Sequence, residues 1–228
     1  MANGFFFAIQ SFVCLFFLLG ALRFGKSALI SFISLQTVLA NFFVMKQIEL
    51  FGLTLTCSDL FMVSSLLGLN LLQEYYGRAV ARKAVEISFF SLFFFAAISQ
   101  IHLWYLPAPV DFSHDAFETL LKVTPRMALS SLFVYYIVQR VEISLFDWFK
   151  KRWSDRYLSW RVTFTLCLTQ ALDTLLFSFL ALYGVVNALD HVIFVSYLMK
   201  LLLVLGGSFF VTFARHFLHQ EVVEFEGG

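Results

Sequence analysis

Apolar runs, each about as long as a bilayer core is thick, recur seven times along the chain, and this recurrence restricts the fold more than any other feature. They are Gly4–Leu22, Ser27–Met45, Leu53–Leu72, Ala84–Leu106, Thr124–Phe146, Val162–Tyr183 and Val192–Ala214. Crossing the hydrocarbon layer takes about 20 mainly apolar residues. Inside lipid every backbone N–H and C=O must be satisfied by the protein itself, which leaves helices or closed barrels. These runs are continuous rather than alternating and too long for strands, so they predict helices. Composition closes the soluble alternative: 60% of the 228 residues are hydrophobic and 14% charged, against roughly 45–50% and 25% in ordinary globular chains. The expectation is an all-α integral membrane protein, a polytopic bundle of about seven transmembrane helices forming one domain over residues 1–228. Met1–Gly4 carries no basic residue and no clear cleavage site follows, so the first run reads as a retained helix rather than a signal peptide.

Lysine and arginine distribution gives the orientation, because cytoplasmic loops are enriched in both. Arg23 and Lys26 follow the first run, Arg78, Arg82 and Lys83 the third, Lys150, Lys151, Arg152, Arg156 and Arg161 the fifth, and Arg215 the seventh. The intervening connections are poor in them: Lys46 in one, Lys122 in another, none around Asn187–His191. The alternation predicts an external N-terminus and a cytoplasmic C-terminus in the cell inner membrane. Pro107–Val123, which carries Asp111, Asp115 and Glu118, is then external, and Asp147–Arg161 is cytoplasmic. Trp104, Tyr105, Trp148 and Trp160 sit at run ends, where aromatic belts belong.

A few polar residues interrupt the runs, and each such group costs free energy in lipid unless it faces the protein interior or a wet cavity. They are Asn41, Asp59, Asn70, Glu74, Arg126, Gln139, Glu142, Gln170, Asp173 and Lys200. Asn70, Glu74 and Gly77 follow an i, i+4, i+7 stripe; Gln139 and Glu142, Gln170 and Asp173, and Tyr197 and Lys200 are i, i+3 pairs. Helical spacing therefore turns each set to one face. Plainer readings stand beside the functional ones. Glu74 and Glu142, near the cytoplasmic ends, snorkel to the interface or pair with nearby basic residues; Arg126 sits at the interface; Asn41 bonds neighbouring helices; Asp173 and Lys200 form a structural ion pair.

No enzyme signature is present: the chain lacks GxSxG, HExxH, a phosphate-binding loop and a dinucleotide turn, so no cofactor is expected. An intramembrane enzyme acting on lipid would need paired carboxylates at DxxD spacing on a helix face, and none occurs within the apolar runs. The three cysteines stand in separate runs with no CxxC spacing. His216 and His219 have i, i+3 metal spacing, but in a short polar tail, where a solvated face is the simpler reading. A net charge of +1 with no basic aromatic stripe gives no reason to expect a nucleic-acid partner. The remaining partners are the bilayer, a small molecule and, left open, further copies of the chain.

The blocks LANFFVMKQIELFGLTLTCSDLFM, LNLLQEYYGRAVARKAV, TPRMALSSLFVYYIVQRVEISLF, TQALDTLLFSFLALYG and YLMKLLLVLGG resemble, in this order, the queuosine precursor transporters, the YhhQ group of the vitamin uptake transporter family. The resemblance implies a six-helix core preceded by an extra N-terminal helix. It also implies import of a 7-deazaguanine (preQ0, preQ1 or queuine) for salvage into tRNA modification. Two positions depart from the family's usual aspartates, Asn70 and Glu142. A deazaguanine presents N1–H and an exocyclic amine side by side next to a carbonyl. A carboxylate can accept from both donors, and an amide or cation can donate to the carbonyl. On this reading Asp173 is the forked acceptor. Gln170, Asn41, Asn70 and Gln139 are amide partners, Glu74 is a second acid, and Lys200 or Arg126 balances the charge; Tyr197 and Phe177 could stack on the base. Two alternatives remain: an integral binding subunit that needs an energising partner, and a structural membrane protein that transports nothing.

Overall fold

The structure, a computed structural model, describes residues 2–44, 46–50, 53–121, 125–153, 157–184 and 189–218. Lys122, Arg156, Asn187 and His219 lie outside the described residues, as do the side chains of Arg126 and His216. The elements in chain order are α1 (Ala2–Arg23), α2 (Lys26–Phe42), β1 (Gln47–Leu50), β2 (Leu53–Thr56), α3 (Ser58–Tyr76), α4 (Arg78–Leu103), α5 (His114–Leu121), α6 (Pro125–Arg152), α7 (Leu158–Phe177), which continues as a π-helical turn over Ser178–Leu182, and α8 (Leu189–Leu218). Among the described residues the chain is all-α apart from the two short strands. Four helical stretches among the described residues are long and apolar enough to cross a membrane: Asn3–Arg23, Arg78–Leu103, Leu129–Arg152 and Leu158–Ala181.

α3 is the centre of the bundle. It packs against α1, α2, α4, α6, α7 and α8, and every residue from Val63 to Gln73 is buried. Its apolar positions, Val63, Leu66, Leu67, Leu69, Leu71 and Leu72, join Leu18 and Leu22 of α1, Ile33 of α2, Val85 of α4, Ile143 and Phe146 of α6, and Val162 and Leu166 of α7 in one core. α8 comes close to α3 at Gly207, where an added Cβ would stand 2.5 Å from Leu67 Cδ1. The phenylalanines of α1 and α4 face the other way: Phe5, Phe6, Phe12, Phe16, Phe90, Phe93 and Phe94 are all exposed. A water-soluble protein does not present such continuous apolar surface, and lipid accounts for it.

The structure corrects three expectations. The third apolar run does not begin a helix at Leu53. Leu53–Thr56 instead pairs antiparallel with Gln47–Leu50, Ile48 opposite Leu55. Alternating side chains let Ile48 and Leu50 meet Phe7 of α1 and Met199 of α8. Gly77 does not extend the Asn70–Glu74 stripe. It adopts φ 86°, ends α3 and begins α4, so a single residue joins the two helices. This φ lies where a Cβ is strained, which is why glycine stands there. Asp147–Arg161 is not a long loop either: α6 runs to Arg152 and α7 starts at Leu158. Arg161 therefore lies inside α7 and is fully buried.

Candidate functional site

Three layers of buried polar groups lie along α3, and each joins it to other helices. The first is at its N-terminal end. Lys200 of α8 donates to Asp173 Oδ2 of α7 at 2.6 Å and weakly to Thr174 Oγ1 at 3.4 Å. Asp59 of α3 lies 3.9 Å from the same ammonium. One cation thus serves two acids on separate helices. Removal of charge from water is costly unless the partners are close, and all three residues are less than a tenth exposed.

The middle layer holds Asn70, Gln139, Glu142, Thr169 and Gln170, on α3, α6 and α7, and all five are essentially fully buried. Thr169 is hydrogen-bonded to Glu142 Oε2, and Asn70 lies beside Glu142 without a well-aligned hydrogen bond. The three amides are unusual. None of the six side-chain oxygen and nitrogen atoms of Asn70, Gln139 and Gln170 has a hydrogen-bond partner among the described residues. Most buried polar side-chain atoms in folded proteins are paired, and each one left unpaired costs about 1–3 kcal/mol.

The third layer closes the C-terminal end of α3. Glu74 Oε1 meets Arg161 Nη2 of α7 at 2.9 Å, and Oε2 meets Lys150 Nζ of α6 at 3.1 Å. Gln73 donates to the Ile143 carbonyl at 3.0 Å. The Arg161 guanidinium also stands 5.5 Å from the centre of the Phe146 ring, a cation–π contact. Beyond it, Arg78 and Lys151 each reach Asp147 at 2.9 Å.

The sequence candidates therefore separate. Asn70, Gln139 and Gln170 share the middle layer, with Asp173 one turn beyond Gln170 on α7 and paired to Lys200. Glu74 belongs to the third layer and is held by two cations. Asn41 is engaged elsewhere: its amide donates to the Thr37 carbonyl at 3.0 Å and its oxygen accepts from Ser131 at 2.8 Å. It lies beside Thr37, which hydrogen-bonds to its own helix at the Ile33 carbonyl and contacts Ser65 and Tyr135. The Tyr197 hydroxyl donates to the Cys167 carbonyl, and Phe177 is half-buried. The side chain of Arg126 is outside the described residues. Arg161 was missed as an interior residue. Its signal was the i, i+4, i+8 polar stripe it forms with Thr165 and Thr169, whose hydroxyls step back along α7 to the carbonyls of Arg161 and Thr165. No group of three metal-ligating side chains occurs among the described residues.

Residues 56–214, which hold all three layers, match the family described as "Putative vitamin uptake transporter". A Bacillus subtilis (strain 168) protein named "Probable queuosine precursor transporter" is 35% identical over 199 residues, covering 86% of each chain. No solved structure matches. A family match over more than half the chain and a relative aligned along most of its length agree with buried polar layers inside an apolar bundle: the chain belongs to the vitamin uptake transporter family, a family of membrane transporters rather than enzymes.

Proposed function

We propose that the protein imports 7-deazaguanine queuosine precursors, preQ0, preQ1 or queuine, and that they are read by the three amides Asn70, Gln139 and Gln170 together with Asp173. The observation that carries this is the set of three buried amides whose six polar atoms make no well-formed hydrogen bond among the described residues. Packing alone gives no reason to keep such groups. A flat base with donors and acceptors around its rim matches them. Asp173 accepts from N1–H and the exocyclic amine, Lys200 holds its second oxygen, and Gln170, Gln139 and Asn70 supply donors and acceptors for the remaining edge. A few placed polar groups in an otherwise apolar site fix orientation and specificity. The printed name of the Bacillus subtilis relative supports the substrate class.

The test is a host that can neither make nor import deazaguanines. Expression of this chain is expected to restore queuosine in its tRNA when preQ0, preQ1 or queuine is supplied singly at low concentration. No restoration with any of the three would reject the substrate assignment.

The same reading includes seven membrane-spanning helices in the inner membrane, namely all the helices above except the eight-residue α5, with the N-terminus outside. A thiol reagent that cannot cross membranes should label a cysteine placed at Ser113 in intact cells and leave one at Ser154 unlabelled. The opposite pattern would invert the topology.

A further inference from the structure

Three of the four acids in the layers have a cation within ion-pair distance: Asp59 and Asp173 share Lys200, and Glu74 has Arg161 and Lys150. Glu142 has none among the described residues. Its nearest polar neighbours, Asn70 and Thr169, are neutral, its Oε1 has no hydrogen-bond partner, and the residue is completely buried. An unpaired carboxylate is poorly tolerated in such surroundings, whereas the neutral acid is accommodated.

The hydroxyl of Thr169 gives a second, independent indication. It contacts Glu142 Oε2 and also the Thr165 carbonyl at 3.0 Å. A threonine hydroxyl has one proton to donate, and a carbonyl only accepts. Both contacts are satisfied together when Thr169 donates to Thr165 and Glu142 carries a proton that it donates to Thr169.

On α6 and the helices packed against it, Arg82, His102 and Arg152 are exposed, and the following charged groups are engaged with other partners. On α3, Glu74 is held by Arg161 and Lys150, and Asp59 by Lys200. On α4, Arg78 pairs with Asp147, and Glu86 lies 3.8 Å from Lys83 and 3.5 Å from Arg140. On α7, Asp173 is bound to Lys200, and Arg161 lies along the α6 surface toward Phe146. On α6 itself, Arg140 contacts Tyr136 and Glu86, and the Tyr135 hydroxyl faces Thr37. Arg161 reaches α6 at Phe146. Phe146 is one helical turn from Glu142, roughly 6 Å of rise.

We propose that Glu142 is the proton-binding site that couples import to the proton gradient. The loaded bundle closes with Glu142 as the neutral acid, and the empty bundle returns with Glu142 ionised and paired to Arg161. On the outer side the carboxylate takes a proton from hydronium, leaving water. On the inner side its O–H bond breaks and the proton passes to water. Arg161 then shifts from Glu74 toward Glu142, and Glu74 keeps Lys150. Substrate and proton enter together because neither half of the cycle closes over an unpaired carboxylate.

The transport half of this proposal rests on the deazaguanine reading; the protonation half does not. Proteoliposomes holding the wild-type chain should concentrate preQ1 when the outside is acidic, with internal pH falling as substrate enters. Glu142→Gln, which mimics the neutral acid, should still exchange internal for external preQ1 but lose concentrative uptake and proton entry. Infrared spectra of the purified protein should contain the C=O band of a buried carboxylic acid, absent from Glu142→Gln. Concentrative uptake by Glu142→Gln, or an unchanged band, would overturn the assignment. Wild-type vesicles inert to every deazaguanine would reject the substrate reading, while the infrared band still decides whether Glu142 is the protonated group.

Discussion

Asp173→Asn is expected to insert and express normally but to lose deazaguanine uptake. The substitution preserves shape. Its amide oxygen can still accept from Lys200, whose ammonium also keeps Asp59 at 3.9 Å, so the first layer retains a cation with an acid nearby. The other side of the new side chain is an NH₂, which faces the base's N–H groups with a donor in place of an acceptor. A site built to hydrogen-bond its ligand can discriminate against a mismatched group by as much as about 10⁴-fold, because buried polar groups are left unpaired. Uptake of radiolabelled preQ1 at matched expression measures this. Wild-type rate and affinity in the variant would move the base-reading role from Asp173 to the middle layer alone.

Arg161→Met should destabilise the bundle more than any other single change at the ion-pair layers. Arg161 is fully buried and Glu74 is 7% exposed in its side chain, whereas Lys150 is 36% exposed. Without Arg161, Glu74 is left with the more solvated of its two cations. Removal of one member of a buried pair costs roughly 3–5 kcal/mol because the other charge stays behind, and Lys150 should bring the loss toward the lower figure. Glu74→Gln in the same chain removes the stranded charge and should recover much of the stability, the non-additivity expected of partners in contact. Thermal unfolding in detergent, followed by loss of monodisperse protein on gel filtration, reads both. A double variant no more stable than Arg161→Met would show that Arg161 matters chiefly through Phe146 and its other contacts rather than through Glu74. Transport should stay impaired in the double variant even where stability returns, because Arg161 also serves the return step assigned to Glu142.

The helices were legible because hydropathy depends on residues near one another in sequence, and the long runs match α1, α4, α6 and α7 closely. What was not legible depends on contacts from far away. Leu53–Thr56 resembles the start of a helix; it becomes a strand because Gln47–Leu50 pairs with it, while Phe7 and Met199 pack on Ile48 and Leu50 of that partner strand. Arg161 counted as a loop cation because charge counting cannot see that Glu74, 87 residues away, draws it inside. Gly77 looked like part of a helical stripe because spacing carries no information about φ. Helical spacing did bring Asn70, Gln139 and Gln170 forward as interior amides. It could not say that their polar atoms would be left without protein partners, since that depends on how three helices meet. The pairing of Lys200 with Asp173 was legible and is present at 2.6 Å; what spacing could not show is that Asp59, from another helix, stands 3.9 Å from the same ammonium.

The one-residue joint at Gly77 has a mechanical corollary. Tyr76 ends α3 and Arg78 begins α4, and consecutive Cα atoms are only about 3.8 Å apart. The two helices cannot part at this end. They can only swing about it, like the legs of a pair of compasses, so any widening between them grows with distance from the joint. The far end of α3 is where Asp59 approaches Lys200. Small changes in the angle between α3 and α4 at Gly77 therefore become their largest displacements at the end of α3 that carries Asp59.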